Sequence, residues 1–187
     1  MNWTRRRWVQ AVGAGTSLLS LGSWAAGVGA PAAPGAVRTI RWPDLVPAGW
    51  DPAQQFAHRK VDRIKEGDEK EQALMREMRE LWDQAPTRDE LNGARLRLPG
   101  YVVPLEQARG KVSEFLLVPY FGACIHSPPP PANQIVLVAL AQPREMRSMD
   151  TVWVTGVMRV QRAESAMGMS GYKLEQAKAE PYVAPRG

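Results

Sequence analysis

One short segment of the chain carries the residue types that bind metal ions or react as thiolates. It contains Cys124, the only cysteine, and His126, and four consecutive prolines, Pro128 to Pro131, follow. If residues 123–126 are extended, Cys124 and His126 project from one face with Cα atoms about 7 Å apart, close enough to share an ion. The prolines favour a stiff polyproline II conformation that loses little entropy on binding. The segment therefore predicts a zinc or copper site.

A metal site at this segment needs further ligands, because structural zinc takes four and catalytic zinc takes at least three from the protein. His58, the only other histidine, is the candidate for a third ligand. An amide side chain close after the prolines is a candidate to orient the imidazole. Asn133 and Gln134 are the candidate amides, and Tyr120 is a further loop residue of the site. Asp44, Glu106 and Glu114 are candidate carboxylate ligands.

The methionines of the second half of the chain are too scattered to form the repeated M-x-x-M tracts of copper-handling tails, since the spacing occurs there only once, at Met146 and Met149. A thioether is a soft metal ligand, but scattered methionines more often fill gaps in a core. We interpret the following mainly as packing or surface residues: Met146, Met149, Met158, Met167 and Met169.

Two other interpretations of the Cys-x-His segment stay open. Cys124 is a small buried apolar residue in the first of them, with His126 as a hydrogen-bonded turn residue. Cysteine catalysis is the second, but it needs a sulfur-to-imidazole hydrogen bond and an orienting acid, and no acid is evident. The sequence also contains no phosphate loop, H-E-x-x-H, G-x-S-x-G or C-x-x-C-H motif. We therefore assign no catalytic residue and do not expect an enzyme.

The N-terminal 30 residues have the layout of a twin-arginine signal peptide. A hydroxyl residue, consecutive arginines and bulky apolar residues occupy Thr4 to Val9, and a mildly apolar stretch with small residues follows. An uncleaved tail or a general secretion signal is the alternative. The signal predicts export to the periplasm.

Composition limits what the exported chain does. The formal charge of +5 includes Arg5, Arg6 and Arg7, and residues 1–30 contain no acid, so residues 31–187 carry +2. This weak charge argues against nucleic acid as a partner. One cysteine excludes an intramolecular disulfide, and no apolar run after the signal approaches the eighteen or so residues of a membrane span.

The remaining chain is predicted to form one domain over residues 42–187, after a Pro/Ala/Gly linker at 31–41. Trp42 and Leu45 are expected to anchor its N-terminus on the core. A helical segment is predicted at about 57–85, ending before Pro86. Its apolar stripe, which we expect to pack on the domain, consists of Leu74, Met78, Leu81 and Trp82.

After the helix the apolar pattern changes to the alternation of β-strands. The candidate strands are Ala94–Leu98, Tyr101–Leu105, Val112–Pro119, Ile135–Ala141, Val152–Val160 and Tyr172–Gln176, with a turn at Asp89–Gly93 and a break at Pro99-Gly100. In the second of these strands, alternation places Tyr101, Val103 and Leu105 on one face. About five short strands and one helix predict a small barrel like the oligonucleotide/oligosaccharide-binding (OB) fold. A β-sandwich with a covering helix is the alternative.

Three sequence motifs of the chain resemble a family of exported proteobacterial proteins classified only as a domain of unknown function. They are GYVVPLE from Gly100, EFLLVPYFGACIH from Glu114, and the prolines with the following NQIV. The resemblance extends from Trp42 to Tyr172. It implies an accessory role in periplasmic metal homeostasis, because members accompany an ABC transporter and metal-responsive periplasmic proteins.

Two functional hypotheses follow from the residues and the resemblance. In the first, the protein is a periplasmic accessory that binds metal through Cys124 and His126, zinc before copper, and works with an ABC transporter. In the second, it is an interaction module that binds no metal and docks an envelope or transporter partner through its proline-rich loop.

Overall fold

The computed structural model describes residues 36–51, 69–123 and 129–183. The predicted signal peptide, residues 31–35 of the predicted linker and residues 57–68 of the predicted helical segment lie outside these residues. Short 3₁₀ turns form at Trp42–Leu45, Asp89–Leu91 and Ala132–Gln134. The regular elements are β1 (Arg38–Thr39), α1 (Glu69–Asp83), β2 (Arg95–Ala108), β3 (Lys111–Val118), β4 (Val136–Arg144), β5 (Thr151–Ser165) and β6 (Gly168–Pro181).

Strands β2 to β6 close into a mixed barrel. Neighbouring strands follow the order β2-β3-β4-β6-β5, and β5 pairs with β2 to complete the ring. The pair β4 and β6 is parallel, and the other barrel pairs are antiparallel. This closed five-stranded arrangement, with one α-helix among the described residues, confirms the predicted OB-like barrel over the β-sandwich alternative.

The predicted break at Pro99-Gly100 is wrong, because β2 runs through both residues. Pro99 lies opposite Trp153 of β5. Its carbonyl oxygen accepts the indole N–H of Trp42 at 2.8 Å. Because the N and O atoms of one residue in a strand point to the same side, the missing N–H of Pro99 also faces Trp42. The proline therefore costs the β2–β5 ladder no hydrogen bond.

Gly100 marks the point where β2 changes partners. The neighbouring Tyr101 lies opposite Thr151 of β5 and opposite Val118 of β3. A Cβ atom on Gly100 would lie 2.8 Å from the Val118 carbonyl oxygen. Only glycine permits this approach, and it allows one long strand to close the barrel.

Strands β5 and β6 are also longer than predicted. They form a hairpin from Thr151 to Pro181, whereas the sequence predicts strands at 152–160 and 172–176. The register shifts between Thr155 and Val157 and again between Val160 and Ala163. Such irregularities interrupt the alternation that predicts a strand, although the backbone pairing continues.

The apolar side chains of the barrel form two clusters. The interior cluster includes Phe115, Val154 and Leu174, all fully buried. A second cluster on the outer face of β2, β3 and β4 contains Val103 and Leu116, with Tyr101 and Leu105 packed against it. The predicted common face of Tyr101, Val103 and Leu105 is therefore correct. Connecting segments cover this outer face, since Ala123 and Ile135 belong to the same cluster.

Helix α1 lies on the surface of the barrel rather than in its core. The four residues of its predicted stripe are half-buried, and no side chain of α1 is fully buried. The stripe therefore faces the domain as predicted, but it packs less deeply. Of the helices in the described residues, none is long and apolar enough to cross a membrane.

Candidate functional site

An N-terminal segment, residues 42–51, packs across the barrel and is here called the strap. Leu45 is fully buried in the interior cluster and Trp42 packs against it, which confirms the predicted anchors. Gln134 donates a hydrogen bond through Nε2 to the Trp42 carbonyl oxygen at 3.1 Å. Arg88 donates through Nη1 to the Asp44 carbonyl oxygen at 2.8 Å. The strap is thus fixed by side chains from two distant parts of the chain.

Tyr172 of β6 joins the strap to the segment before β2. Its hydroxyl group donates to the Leu45 carbonyl oxygen at 2.6 Å and accepts the Arg88 backbone N–H at 2.7 Å. The ring is fully buried. Burial raises the pKa of Tyr172 above its ordinary value, because the phenolate loses solvation there.

The connection from β3 to β4 contains the Cys-x-His segment, and its described ends are fixed. Ala123 is fully buried on the side that precedes Cys124. On the other side Asn133 is fully buried, and its Nδ2 donates to the Pro86 carbonyl oxygen at 3.0 Å. The Asn133 Oδ1 atom is buried without a hydrogen-bond partner. Asn133 and Gln134, predicted to orient an imidazole, thus both donate hydrogen bonds to backbone carbonyl groups.

Met149, in the connection between β4 and β5, places its thioether against the β3–β4 connection, just before Cys124 in the sequence. The Gly122 backbone N–H donates to Met149 Sδ at 3.2 Å. Met149 has φ 66°, a left-handed conformation that is costly for a side chain of this type. Its backbone N–H donates to the Val102 carbonyl oxygen at 2.7 Å, which helps to hold this conformation. The sequence pattern does not reveal this role, because the contact joins residues 27 positions apart.

An apolar groove of about 690 Å³ lies between the strap, the end of α1 and the β3–β4 connection. We call it the tryptophan groove. The Trp82 Nε1 atom in its wall is buried without a hydrogen-bond partner. Tyr120, a predicted loop residue of the site, lines the groove and is 44% exposed. Among its lining residues are Trp42, Trp50, Trp82, Tyr120, Pro130 and Pro131.

A second cavity, of about 360 Å³, separates α1 from the proline run. Met78 and Trp82 line it from the helix, and Pro129 and Pro130 line it from the β3–β4 connection. Asp83 lies at its edge, and burial raises the pKa of this carboxyl group against the opposing effect of Arg79. Both cavities meet at Trp82, so α1 and the proline run together shape this end of the molecule.

Arg162 of β5 fixes the C-terminal end of α1. Its guanidinium donates to the carbonyl oxygen of Asp83, and through Nη2 to those of Gln84 at 3.1 Å and Ala85 at 2.7 Å. A cation at this end of a helix satisfies carbonyl groups that have no partner within the helix. The wall of both cavities therefore depends on a residue from the barrel.

The structure brings some of the predicted site residues together and separates others. Tyr120, Asn133 and Gln134 lie in the β3–β4 connection, whereas Cys124, His126 and His58 lie outside the described residues. Glu106 is exposed and lies five residues beyond Tyr101 along β2. Tyr101 lies opposite Val118, where the β3–β4 connection begins, so Glu106 is about 16 Å along the strand from that point.

The other proposed carboxylates form no metal site in the described part of the chain. Asp44 accepts the Arg41 backbone N–H at 2.8 Å. Glu114 lies opposite Glu106 in the β2–β3 pair, away from the loop. Within the ranges that the structure describes, no three His, Cys, Asp or Glu side chains are grouped to hold an ion.

Comparison with known proteins gives a family but no activity. The sequence profile of a family described as a protein of unknown function (DUF3299) matches residues 42–181. A crystal structure of a DUF3299 family protein from Pseudomonas aeruginosa is 37% identical, covers 81% of this chain and 100% of that chain, and has a TM-score of 0.62. No curated protein matches the chain. The shared region contains the strap, α1, the barrel and the β3–β4 connection.

Proposed function

The chain belongs to the DUF3299 family of unknown function, and we propose that it is an exported accessory protein that binds a soft metal ion. Cys124 and His126 are the proposed ligands, and Met149 is a third. The proposed setting is the periplasm, where the protein works with an ABC transporter. The sequence pattern at residues 4–9 and the family resemblance support that setting.

The contact between Gly122 and Met149 carries the metal proposal. The thioether sulfur lies 3.2 Å from the Gly122 nitrogen. Two peptide units keep the Cα atoms of Gly122 and Cys124 within about 7.6 Å of each other. The thioether of Met149 therefore lies against the residue two positions before Cys124, and the left-handed backbone of Met149 is a local cost of the kind found at functional sites.

The chemistry of these donors favours copper(I) over zinc. Zinc sites in proteins use thiolate, imidazole and carboxylate ligands, whereas thioethers bind copper(I). Cys124 supplies a thiolate, His126 an imidazole nitrogen and Met149 a neutral sulfur. This ligand set revises the order that the sequence alone suggests, in which zinc comes first.

The barrel surface supports a ligand other than an oligonucleotide. OB-like barrels bind oligonucleotides on the outer face of their second and third strands, which correspond to β3 and β4 here. In this protein Leu116 and Leu137 on that face are buried in the second apolar cluster. The proposed binding site is instead the connection that covers this face.

Competition for copper(I) tests the role of Met149. The mature protein, residues 31–187, is titrated against a chromophoric copper(I) chelator under reducing conditions, and the Kd is compared with that of Met149→Leu and Met146→Leu. Both substitutions conserve side-chain volume, and Met146 belongs to the interior cluster. We expect at least a tenfold weaker copper(I) affinity for Met149→Leu only. Equal affinities for all three proteins would exclude Met149 as a ligand.

A second candidate function is docking of an envelope partner through the tryptophan groove. The observation that favours it is a groove wall of indole, phenol and proline rings, of which Tyr120 is exposed, at the connection that contains the Cys-x-His segment. Aromatic and proline surfaces of this kind occur where proteins bind partners. A photocrosslinker placed at Tyr120 in cells should trap the transporter, and one placed at Lys111 should not. Equal trapping at both positions would exclude the groove.

A further inference from the structure

A second surface of the barrel carries more positive than negative charge. It is the outer face of the first half of β2 together with β5 and β6, and we call it the basic face. Strand pairing aligns its residues in rows, with Arg97, Thr155 and Lys178 in one row and Arg95, Val157 and Glu175 in another. The charged members of the face are Arg95, Arg97, Arg159, Lys173, Lys178, Glu175 and Glu180.

The two carboxylates of the basic face are already paired with its own cations. Arg159 contacts Glu175 at 2.8 Å, and Lys178 contacts Glu180 at 2.7 Å. In the described structure Arg95 and Lys173 have no ion-pair partner within 4.0 Å. Five cations and two anions give the face +3, whereas residues 31–187 together carry +2. The face therefore carries a net positive charge of its own, which favours contact with anions.

An aromatic stack holds one of these cations in place. The Arg97 guanidinium lies 4.4 Å from the centre of a Trp153 ring, and Tyr182 stacks on Trp153 at 5.4 Å. The Arg97 Nε atom is buried without a hydrogen-bond partner, and its side chain is 37% exposed. The stack fixes the guanidinium before any anion arrives, so less side-chain entropy is lost on binding.

We propose that the basic face docks the protein on anionic phospholipid headgroups. Its cations span three adjacent strands of the convex outer surface, an area of roughly 13 Å by 10 Å. A plane of lipid phosphates meets all these strands at once, whereas an extended acidic peptide follows one line across them. This docking keeps the exported protein close to the membrane that contains the proposed transporter. It does not depend on metal binding.

Vesicle binding tests this docking directly. The mature protein is sedimented with phosphatidylcholine vesicles and with vesicles containing 30% phosphatidylglycerol, at about 0.05 and 0.5 M salt. We expect binding to the anionic vesicles only, and loss of binding at high salt. The double variant Arg95→Glu/Lys173→Glu should bind at least about 25-fold more weakly, at about fivefold per cation. The matched control Lys70→Glu/Lys111→Glu, which has the same charge change, should fall less than fivefold.

The outcomes separate this proposal from its alternatives. Absence of binding to anionic vesicles, or an equal loss in the control variant, would overturn it. Binding of a soluble poly-glutamate peptide without vesicle binding would instead identify the face as a docking surface for an acidic protein. Cys124→Ser should bind vesicles like the parent, and Arg95→Glu/Lys173→Glu should bind metal like the parent. Failure of the metal proposal therefore leaves the membrane proposal intact, and the reverse holds too.

Discussion

The hydroxyl group of Tyr172 donates a hydrogen bond to the carbonyl oxygen of Leu45 at 2.6 Å across 127 positions of the chain. This bond ties the last barrel strand to the strap. The Tyr172 hydroxyl oxygen also accepts the backbone N–H of Arg88, whose side chain donates to the Asp44 carbonyl oxygen. One buried side chain thus positions the strap that forms one wall of the tryptophan groove.

Replacing Tyr172 with phenylalanine should destabilise the fold. The change leaves the Leu45 carbonyl oxygen and the Arg88 N–H without this partner, at a cost of about 1–3 kcal/mol. Urea unfolding of the mature protein measures the difference. Tyr182→Phe is the control, because Tyr182 is 39% exposed and should change the free energy of unfolding by less than about 0.5 kcal/mol. An equal effect of both substitutions would contradict the buried role of Tyr172.

Tyr172 should also make the fold sensitive to alkali. Its pKa is raised in the folded state above the ordinary value of 10.0, so above pH 10.0 the unfolded chain releases this proton while the folded chain keeps it. The stability contributed by Tyr172 is therefore complete below that pH and is lost as the pH rises through the folded pKa, at up to about 1.4 kcal/mol per pH unit. Unfolding measured from pH 8 to 11 should show a shallower decline for Tyr172→Phe. Parallel declines for both proteins would refute the shift.

Arg162→Lys should loosen the end of α1 without unfolding the barrel. A lysine ammonium lacks the planar fork that reaches the carbonyl groups of Asp83, Gln84 and Ala85 together. We expect a loss of about 1 kcal/mol in global stability and at least tenfold faster amide exchange in residues 79–85. Arg109→Lys, at the β2–β3 turn, should leave the exchange unchanged. Unaltered protection of the helix end in Arg162→Lys would argue against this anchor.

Gly100→Ala should strain the barrel where β2 changes partners. The added Cβ atom would meet the Leu117 side chain and the Val118 carbonyl oxygen at 2.8 Å, and the backbone oxygen has little room to move. We expect a loss of about 1–3 kcal/mol. Pro99→Ala, one residue earlier, should cost less than 1 kcal/mol by comparison, since Pro99 is half-exposed. A larger loss of stability for Pro99→Ala than for Gly100→Ala would contradict the steric requirement for glycine at position 100.

The sequence predicts those parts of the fold that leave a local pattern. Val103 and Leu105 alternate with polar or oppositely buried neighbours, so the strand and its buried face are predicted correctly. The break at Pro99-Gly100 is predicted wrongly because the outcome depends on Trp42 and on β3, which lie far along the chain. Pro99 continues β2 because the β2–β5 ladder does not use its N–H, and Gly100 continues it because β3 occupies the space that a Cβ atom would fill.

The site is less predictable, because its contacts join distant residues. Gln134 and Asn133 are identified by their place after the prolines, but their partners are the Trp42 and Pro86 carbonyl groups. Met149 belongs to a scattered set of methionines in sequence, and only the fold places it against Gly122. The sequence pattern identifies Tyr172 only as a residue of a predicted strand and does not indicate its hydrogen bonds. Cys124, His126 and His58 stay predictions, since they lie outside the described residues.

The metal content of the mature protein, purified after export, tests metal binding at Cys124 and His126 most directly. Elemental analysis of the parent, Cys124→Ser and His126→Ala, each reloaded with copper(I) or zinc under reducing conditions, gives the stoichiometry. We expect about one equivalent of copper in the parent and less than a tenth of that in either variant, with unchanged urea unfolding. A folded parent that retains neither metal after reloading would contradict the proposed function and leave partner docking through the tryptophan groove as the remaining candidate.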